Sequence, residues 1–195
     1  MNKNIILCGV GGQGTVLASK LIAAAAMDKG MNVMSAETIG MAQRGGNVFS
    51  NIRISDEEKI YAPMIGKGQA DIILGFEPGE TVRMLPFLKA DGHVVTNLRP
   101  VKPTTATLTG SSYDGEEMIE YLKNVVAEDR LLVVDGTQAV ADLGNPRCLN
   151  MVLLGAAIRR GALGLTENDI LSAMTKVIKP KFRDLNERAF RYVQA

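Results

Sequence analysis

The chain has 195 residues and a formal net charge of +1, and its hydrophobic and charged fractions, 46% and 22%, are those of an ordinary globular domain. Because the net charge is close to zero and no stretch is dense in lysine and arginine, neither nucleic acid nor an acidic membrane surface is expected as a partner. With only two cysteines and one histidine, the chain cannot build a zinc or iron–sulfur site from its own thiols.

The beginning of the sequence predicts a strand, a loop, a helix and a second strand. Residues 4–8 form a short apolar run that ends at a glycine, which indicates a buried strand. A helix rich in alanine and leucine is predicted over residues 15–29, and Gly30 follows it in the usual place beyond a helix C-terminus. The second strand is predicted over residues 31–36. Such a unit is typical of a right-handed βαβ arrangement, so we expect its two strands to pair in parallel.

The pattern then changes from helical spacing to strict alternation. Over residues 47–54, apolar and small side chains alternate with polar ones such as Asn51 and Arg53, which indicates a half-buried strand. A turn rich in acidic residues follows, and residues 59–62 could form a second strand. We therefore expect an inserted β-hairpin over residues 47–62.

The remaining sequence returns to alternating strands and helices. Strands are predicted at residues 71–76, 92–97 and 131–134, and helices at 78–88 (broken at Pro86), at 114–126 and in the C-terminal part, where Thr166 and Asp169 form a capping-box pattern. This order predicts an α/β fold, namely one three-layer, Rossmann-like domain over residues 1–195 with a mostly parallel sheet and the inserted hairpin.

The sequence contains no sign of export or of membrane insertion. Its longest apolar runs, such as residues 21–27, are too short to cross a bilayer. The N-terminal residues do not combine a charged start with a long apolar stretch and a small-residue cleavage site. We therefore expect a cytoplasmic protein.

The strongest candidate site is the loop between the first strand and the first helix. Its residues satisfy the pattern G-x-G-x-x-G, in which the first glycine permits a tight turn, the second lets a ligand approach the backbone and the third lets the helix pack against the strand. The N-terminus of the following helix favours a phosphate or carboxylate, and the missing lysine excludes a nucleotide-triphosphate P-loop. Cofactor contacts are therefore expected at Gly9, Gly11, Gly12, Gln13, Gly14 and Thr15.

Two other interpretations of this loop remain open. Glu37 ends the second strand, about where a dinucleotide-binding domain places the carboxylate that binds ribose hydroxyls. The chain could therefore be a stand-alone dinucleotide-binding dehydrogenase or reductase. Alternatively, the glycines only form a tight turn and Glu37 is a solvated surface residue.

A second candidate site lies in the glycine-rich segment that follows. Arg44 offers a planar guanidinium group beside Gly45 and Gly46, whose backbone a ligand or a partner chain can approach closely. The alternative is an arginine on a solvated surface loop. We expect ligand or partner contacts at Arg44, Gly45 and Gly46.

Taken together, the loop Gly-Val-Gly-Gly-Gln-Gly and the segment over residues 36–46 resemble a known family, the gamma-type subunits of the 2-oxoacid:ferredoxin oxidoreductases. The sequence Met-Ala-Gln-Arg-Gly-Gly most resembles the corresponding motif in the beta subunit of indolepyruvate:ferredoxin oxidoreductase. Residues 76–78, residues 97–103 and the tail around Asn186 and Phe190 fit as well, so the resemblance covers nearly the whole chain.

The resemblance implies a non-autonomous subunit of an oxidoreductase. Such an enzyme oxidatively decarboxylates indolepyruvate, another arylpyruvate or a different 2-oxoacid with thiamine diphosphate, passes electrons through iron–sulfur clusters to ferredoxin and transfers the acyl group to coenzyme A. Thiamine diphosphate, Mg and [4Fe-4S] clusters are then expected on a large partner subunit and not on this chain alone. Coenzyme A is expected as the co-substrate, with the glycine loop as a contact for its phosphates, and no catalytic or metal-binding residue is expected in this chain.

Overall fold

The computed structural model describes residues 1–40, 46–57, 59–102 and 113–192. In these ranges the strands are β1 (Asn2–Val10), β2 (Asn32–Ile39), β3 (Asn47–Ser55), β4 (Ala70–Gly75), β5 (Leu88–Asn97) and β6 (Leu131–Val134). The helices are α1 (Thr15–Asp28), α2 (Pro78–Met84), α3 (Glu116–Val125), α4 (Gly136–Leu143), α5 (Leu149–Arg159), α6 (Glu167–Val177) and α7 (Pro180–Phe190). None of these helices combines the length and the apolar character that a membrane span requires.

The six strands form one sheet in the order β2-β3-β1-β4-β5-β6. The neighbours β1, β4, β5 and β6 are parallel to one another. In contrast, β3 runs antiparallel to both β1 and β2. All the described strands except β3 therefore run in one direction, and the predicted α/β fold with a mostly parallel sheet is confirmed.

The position of β3 corrects two details of the sequence-based expectation. Because β3 lies between β1 and β2, the two strands joined by α1 run in the same direction but do not pair with each other. Residues 59–62 form no strand, so the second arm expected for the hairpin over residues 47–62 is wrong. The physical reason is that both edges of β3 are already occupied, and its hairpin-like partner is β2.

Helices cover both faces of the sheet and produce three layers. Successive side chains of β1 point to opposite faces, so Ile5 and Leu7 enter a large core beneath α1, α5, α6 and α7, whereas Ile6 and Cys8 enter a smaller core beneath α2 and α3. Burial on both faces explains why this strand is apolar without interruption.

Local signals determine where several helices begin and end. At the start of α6, the Thr166 hydroxyl accepts a hydrogen bond from the Asp169 N–H, and the Asp169 carboxylate accepts one from the Thr166 N–H. The predicted capping box is thus confirmed. The helix α2 ends at Met84, and Pro86 lies in the following 3-10 turn, which confirms the predicted break.

The crossover connections diverge where β1 and β4 lie side by side. The helix after β1, α1, packs on the face with the large core, and the helix after β4, α2, packs on the opposite face. In open α/β sheets, ligands bind outside the carboxyl ends of the strands at such a point. The fold therefore places a candidate site between the loop after β1 and the loop after β4, which we call the crevice.

Candidate functional site

The glycine loop (residues 9–14) forms one side of the crevice. Gly12 and Gly14 adopt φ angles of 98° and 82°, a backbone region that strongly favours glycine. A Cβ on Gly9 would lie 2.9 Å from the Cβ of Phe76 at the end of β4, so Gly9 is required for close packing of the two loops. A Cβ on Gly14 would lie 2.5 Å from Nδ2 of Asn150 on α5. Gly14 was expected to let the helix pack against the strand, but the atoms nearest to the position of its Cβ belong to Asn150, a helix residue far away in sequence.

At the N-terminus of α1, backbone amides beside this loop have no hydrogen-bond partner in the part of the chain that the structure describes. The N-cap is Gly14, which has no side chain to cap the helix, and the first turn contains no acidic residue. Leu17 and Ala18 donate their N–H groups to the Gly14 carbonyl oxygen. The N–H groups of Thr15 and Val16 make no hydrogen bond to another residue that the structure describes. The positive end of the helix dipole is thus uncompensated and favours an anion.

The second candidate segment, residues 44–46, contacts the glycine loop through its last residue, Gly46. The Gly11 N–H donates to the Gly46 carbonyl oxygen over 2.9 Å, so the connection from β2 to β3 ends against the glycine loop. The amide of Gly11 is therefore used by the protein itself. Arg44 and Gly45, the other two residues predicted in this segment, lie outside the described residues.

Gln13 connects the two loops that border the crevice. Its Oε1 accepts a hydrogen bond from the Val10 N–H, and its Nε2 donates to the Phe76 carbonyl oxygen, each over 2.8 Å. Both ends of the carboxamide are thus bonded to backbone groups, one in the loop after β1 and the other in the loop after β4.

A buried carboxylate, Glu77, organises the opposite side of the crevice. Its Oε2 accepts the N–H of Glu80 over 2.9 Å and so caps α2. Its Oε1 accepts the hydroxyl of Tyr113 over 2.6 Å and the N–H of Val101 over 3.4 Å. The Tyr113 oxygen in turn accepts the Gly79 N–H over 3.1 Å. Glu77 therefore ties α2 to both described ends of the connection between β5 and α3.

These groups surround a cavity of about 310 Å³ beside the glycine loop. Burial raises the pKa of the Glu80 carboxyl, an effect that Arg83 opposes from 3.5 Å away. Burial, together with the hydrogen bond to Glu77, also raises the pKa of the Tyr113 hydroxyl. The cavity wall is therefore acidic, and the surface that favours an anion is the α1 side of the crevice.

Glu37 lies away from the crevice. It is exposed on β2 and pairs in register with Ser50 on β3. Since neighbouring strands lie about 4.8 Å apart, Glu37 is displaced by two strand spacings, roughly 10 Å, from the strand that leads into the glycine loop. A dinucleotide-binding domain places its second strand directly beside the first, so the geometry disfavours a ribose-binding role for Glu37.

Residues 4–194 match the family described as pyruvate ferredoxin/flavodoxin oxidoreductase. The chain belongs to this family. The match extends over all six strands and all the described helices except for the first residues of β1, so the glycine loop and the crevice both lie inside the family domain.

Known proteins of this kind are similar to the chain over most of its length. It is 35% identical over 190 residues to the indolepyruvate oxidoreductase subunit IorB of Thermococcus kodakarensis, covering 96% of this chain and 92% of that subunit. In fold it is similar to the gamma subunit of a keto/oxoacid ferredoxin oxidoreductase from Geobacter sulfurreducens, with a TM-score of 0.66, 22% identity and coverage of 97% of this chain and 94% of that one. The predicted resemblance to gamma-type subunits is confirmed, and the chain is an IorB-like oxidoreductase subunit.

The fold also occurs as part of a longer chain. With a TM-score of 0.69 and 20% identity, 97% of this chain is similar to 30% of the chain of 2-oxoglutarate:ferredoxin oxidoreductase from Magnetococcus marinus, whose structure has 2-oxoglutarate, coenzyme A and succinyl-CoA bound. The same domain architecture is thus present as a segment of a larger polypeptide in that enzyme.

For an oxidoreductase subunit of this family, the thiols of the chain are poor candidates for redox chemistry. Cys8 and Cys148 are both buried and free. Burial raises the pKa of each thiol, which disfavours the thiolate that acts as nucleophile or metal ligand. In the described ranges no three His, Cys, Asp or Glu residues are grouped so that they could hold a metal ion.

Sequence reasoning identified the glycine loop but missed the groups that shape the crevice. Glu77 was considered only as part of the stretch that resembles the family, although its place directly before Pro78, a proline in the first turn of a helix, marks it as the N-cap residue. Tyr113 and Asn150 carried no usable signal, because their contacts in the crevice come from distant parts of the chain.

Replacing Tyr113 with phenylalanine tests whether Glu77 organises the crevice wall. Tyr113→Phe removes one hydrogen-bond donor from buried Glu77 and the acceptor of the Gly79 N–H, so the free energy of unfolding should fall by about 1–2 kcal/mol. Tyr121→Phe is the matched control, since Tyr121 is half-exposed on α3 and its hydroxyl bonds to no other residue among those described. That control should change stability by less than about 0.5 kcal/mol in chemical denaturation. Equal effects of the two substitutions would contradict the role assigned to Glu77.

Proposed function

We propose that the chain is the small subunit of a thiamine diphosphate-dependent 2-oxoacid:ferredoxin oxidoreductase that converts indolepyruvate or another arylpyruvate to acyl-CoA with reduction of ferredoxin. The family match over residues 4–194 carries this proposal. The 35% identity to a subunit named for indolepyruvate favours that substrate, whereas the family description names pyruvate and supplies the alternative 2-oxoacid.

The donor groups of this chain support placing the redox centres on a larger partner subunit. A [4Fe-4S] cluster takes four cysteine thiolates, and this sequence contains only two cysteines, both buried. Thiamine diphosphate with Mg would supply the decarboxylation chemistry, and the clusters would carry electrons to ferredoxin. The contribution of this chain is then a shaped surface that borders the reaction site and binds the acyl acceptor.

The proposed acceptor contact is a phosphate of coenzyme A at the N-terminus of α1. Support comes from the Val16 N–H, which bonds to no other residue in the described ranges, and from the helix end, which has no side-chain cap. Gly12 is exposed, and apart from its chain neighbours no atom of the described residues lies within 4 Å of the place where its Cβ would be, so a ligand can approach the backbone there. Among the predicted contacts, Gly12 and Gly14 can offer backbone groups to the ligand. Thr15 is buried, with 3% of its surface exposed, and Gly9, Gly11 and Gln13 hold the loop in shape.

The segment with Arg44 is the proposed contact with the partner subunit. The described end of this segment, Gly46, accepts a hydrogen bond from Gly11 and so lies against the glycine loop. A guanidinium group there can pair with the carboxylate of the 2-oxoacid or with an acidic group of the partner, and Gly45 and Gly46 permit close backbone approach.

A reconstitution experiment tests the proposed function. The isolated chain should show neither oxidoreductase activity nor the visible absorbance of an iron–sulfur cluster. Co-expression with the large subunit should yield ferredoxin reduction that requires a 2-oxoacid, thiamine diphosphate and coenzyme A. When the three substrates are compared in the same assay, the reconstituted enzyme should have a higher kcat/KM for indolepyruvate than for pyruvate or 2-oxoglutarate. Reduction of an acceptor by the isolated chain with NADH or NADPH would instead support the stand-alone dehydrogenase.

Arg44→Ala tests the proposed partner-facing segment. Truncating one member of a buried charged contact costs about 2–5 kcal/mol, so turnover of the reconstituted enzyme should fall by about 30-fold or more. The melting temperature of the isolated subunit should stay nearly unchanged. Arg188→Ala on the exposed face of α7 is the control and should leave turnover within about twofold of the parent. If Arg44→Ala also leaves turnover within about twofold of the parent, Arg44 is a solvated loop residue.

A charge placed in the first turn of α1 tests the proposed coenzyme A contact. Val16→Glu puts a carboxylate where the helix dipole stabilises it by about 0.3–1 kcal/mol, but the same charge repels a phosphate. Val16→Gln has the same length without the charge and serves as the control. The KM for coenzyme A in the reconstituted enzyme should be about tenfold higher for Val16→Glu than for Val16→Gln, with kcat within about twofold. Equal KM values for the two variants would refute this contact.

A further inference from the structure

The strands β1 and β4 separate where the crevice opens, and a side chain fills the gap between them. Their parallel ladder extends to the pair Cys8 and Gly75, and its last bond runs from the Phe76 N–H to the Cys8 carbonyl oxygen over 2.7 Å. The next rung of a parallel ladder would join the Val10 N–H to the Phe76 carbonyl oxygen. Instead, the carboxamide of Gln13 accepts from the first group and donates to the second, each over 2.8 Å.

A second carboxamide holds the same carbonyl group from the other side. Asn97 ends β5 and is buried, with 3% of its surface exposed. Its Nδ2 donates to the carbonyl oxygens of Phe76 and Arg99 over 3.3 and 3.0 Å. Its Oδ1 accepts the N–H of Gly136, the first residue of α4, over 3.1 Å. Two side-chain amides therefore link the ends of β1, β4, β5 and β6 in one row through the Phe76 carbonyl group.

We infer that Gln13 is a positioning residue of the crevice: its carboxamide replaces one rung of the β1–β4 ladder, holds the two strands apart and sets the conformation of the glycine loop in front of α1. Asn97 supports this arrangement by holding the Phe76 carbonyl oxygen in place. The inference concerns the shape of the loop, and only its kinetic readout rests on the proposed function.

The position requires one acceptor and one donor at the end of a side chain of this length. Glutamine supplies both, because its amide carries a carbonyl oxygen and an NH₂ group. An ionised glutamate would keep the acceptor for Val10 but would turn a second oxygen toward the Phe76 carbonyl oxygen. A protonated glutamate would donate its O–H to that oxygen and restore the arrangement. Gln13→Met would keep the length of the side chain and lose both hydrogen bonds.

The surroundings determine where a glutamate at position 13 would titrate. Glu77, Glu80 and Arg83 are the charged groups that line the cavity beside Val10 in the described residues, and the first turn of α1 carries no acidic residue. The two carboxylates and the Phe76 carbonyl oxygen favour the protonated form, whereas Arg83, the Val10 N–H and the positive end of the α1 dipole favour the ionised form. The O–H donor of the introduced carboxyl group should return as the pH falls toward its pKa.

Hydrogen exchange and kinetics on the complete complex test the inference. Amide exchange over residues 9–16 and the KM for coenzyme A are measured at pH 5.0 and 8.0 for Gln13→Glu, Gln13→Met and the parent, and each variant is compared with the parent at the same pH. Gln138→Met is the matched control, because Gln138 is exposed on α4 and its side chain binds only Asp142 on that helix among the described residues.

At pH 8.0 both Gln13 variants should exchange the loop amides about tenfold faster than the parent, a factor equivalent to about 1.4 kcal/mol. The KM for coenzyme A should rise in parallel, and Gln138→Met should match the parent in both measurements. At pH 5.0 the protonated fraction of Gln13→Glu regains the donor, so its loop exchange relative to the parent should be slower than at pH 8.0, whereas Gln13→Met should show no such recovery.

The possible outcomes separate this inference from the proposed function. If the loop amides of Gln13→Met exchange at the same rate as those of the parent, the inference is overturned. A raised KM for coenzyme A without faster amide exchange would also overturn it, because Gln13 would then be a direct ligand contact. Recovery of Gln13→Met to the same extent as Gln13→Glu at low pH would overturn the requirement for a donor to Phe76. Faster loop exchange with an unchanged KM for coenzyme A would uphold Gln13 as the positioning residue and contradict the proposed coenzyme A contact instead.

Discussion

The antiparallel strand β3 pairs along its length with β1 on one side and β2 on the other, and the arrangement of the site depends on this double pairing. Its first residue, Asn47, lies opposite Val10, the last residue of β1. The connection that precedes β3 must therefore end at the glycine loop, where Gly46 accepts the Gly11 N–H. The same pairing places β2 one strand farther out and carries Glu37 away from the crevice. One ladder thus brings the two glycine-rich segments together and separates the carboxylate from them.

The two sides of the crevice differ in electrostatic character. The α1 side offers backbone amides that have no partner among the described residues and the positive end of a helix dipole, both of which favour a negative group. The α2 side carries Glu77 and Glu80, and burial already disfavours the charge of Glu80. An anionic ligand should therefore lie against α1, while the groups around Glu77 hold the opposing wall in place through hydrogen bonds.

Backbone groups and carboxamides, rather than reactive side chains, shape this subunit. Gln13 and Asn97 bind the Phe76 carbonyl oxygen from two sides, and all the described hydrogen bonds of these two carboxamides go to backbone groups of the protein. The thiols are buried with raised pKa values, which disfavours nucleophilic or cluster chemistry at these positions. These features agree with a family in which the relatives are subunits of larger oxidoreductases, since a subunit can contribute a fixed binding surface without holding the redox centre.

Features that depend on neighbouring residues could be predicted from the amino-acid order alone. The buried strand β1, the turn with its glycines, the start of α1, the break at Pro86 and the capping box of Thr166 and Asp169 all follow from contacts within a few residues, so local composition and spacing predict them. The resemblance carried by the two glycine-rich segments likewise identified the family correctly.

Which distant segments meet depends on the fold of the whole domain. The strand order rests on pairs such as Ile5 with Ile72. Phe76, the partner of Gln13, lies 63 positions away in sequence, and Asn150, the neighbour of Gly14, lies 136 positions away. Residues 59–62 have a plausible strand sequence, yet they form no strand because β3 already has partners on both edges. Such contacts depend on which strands and helices pair with each sheet edge and helix face in the whole domain. A local sequence pattern does not contain that information.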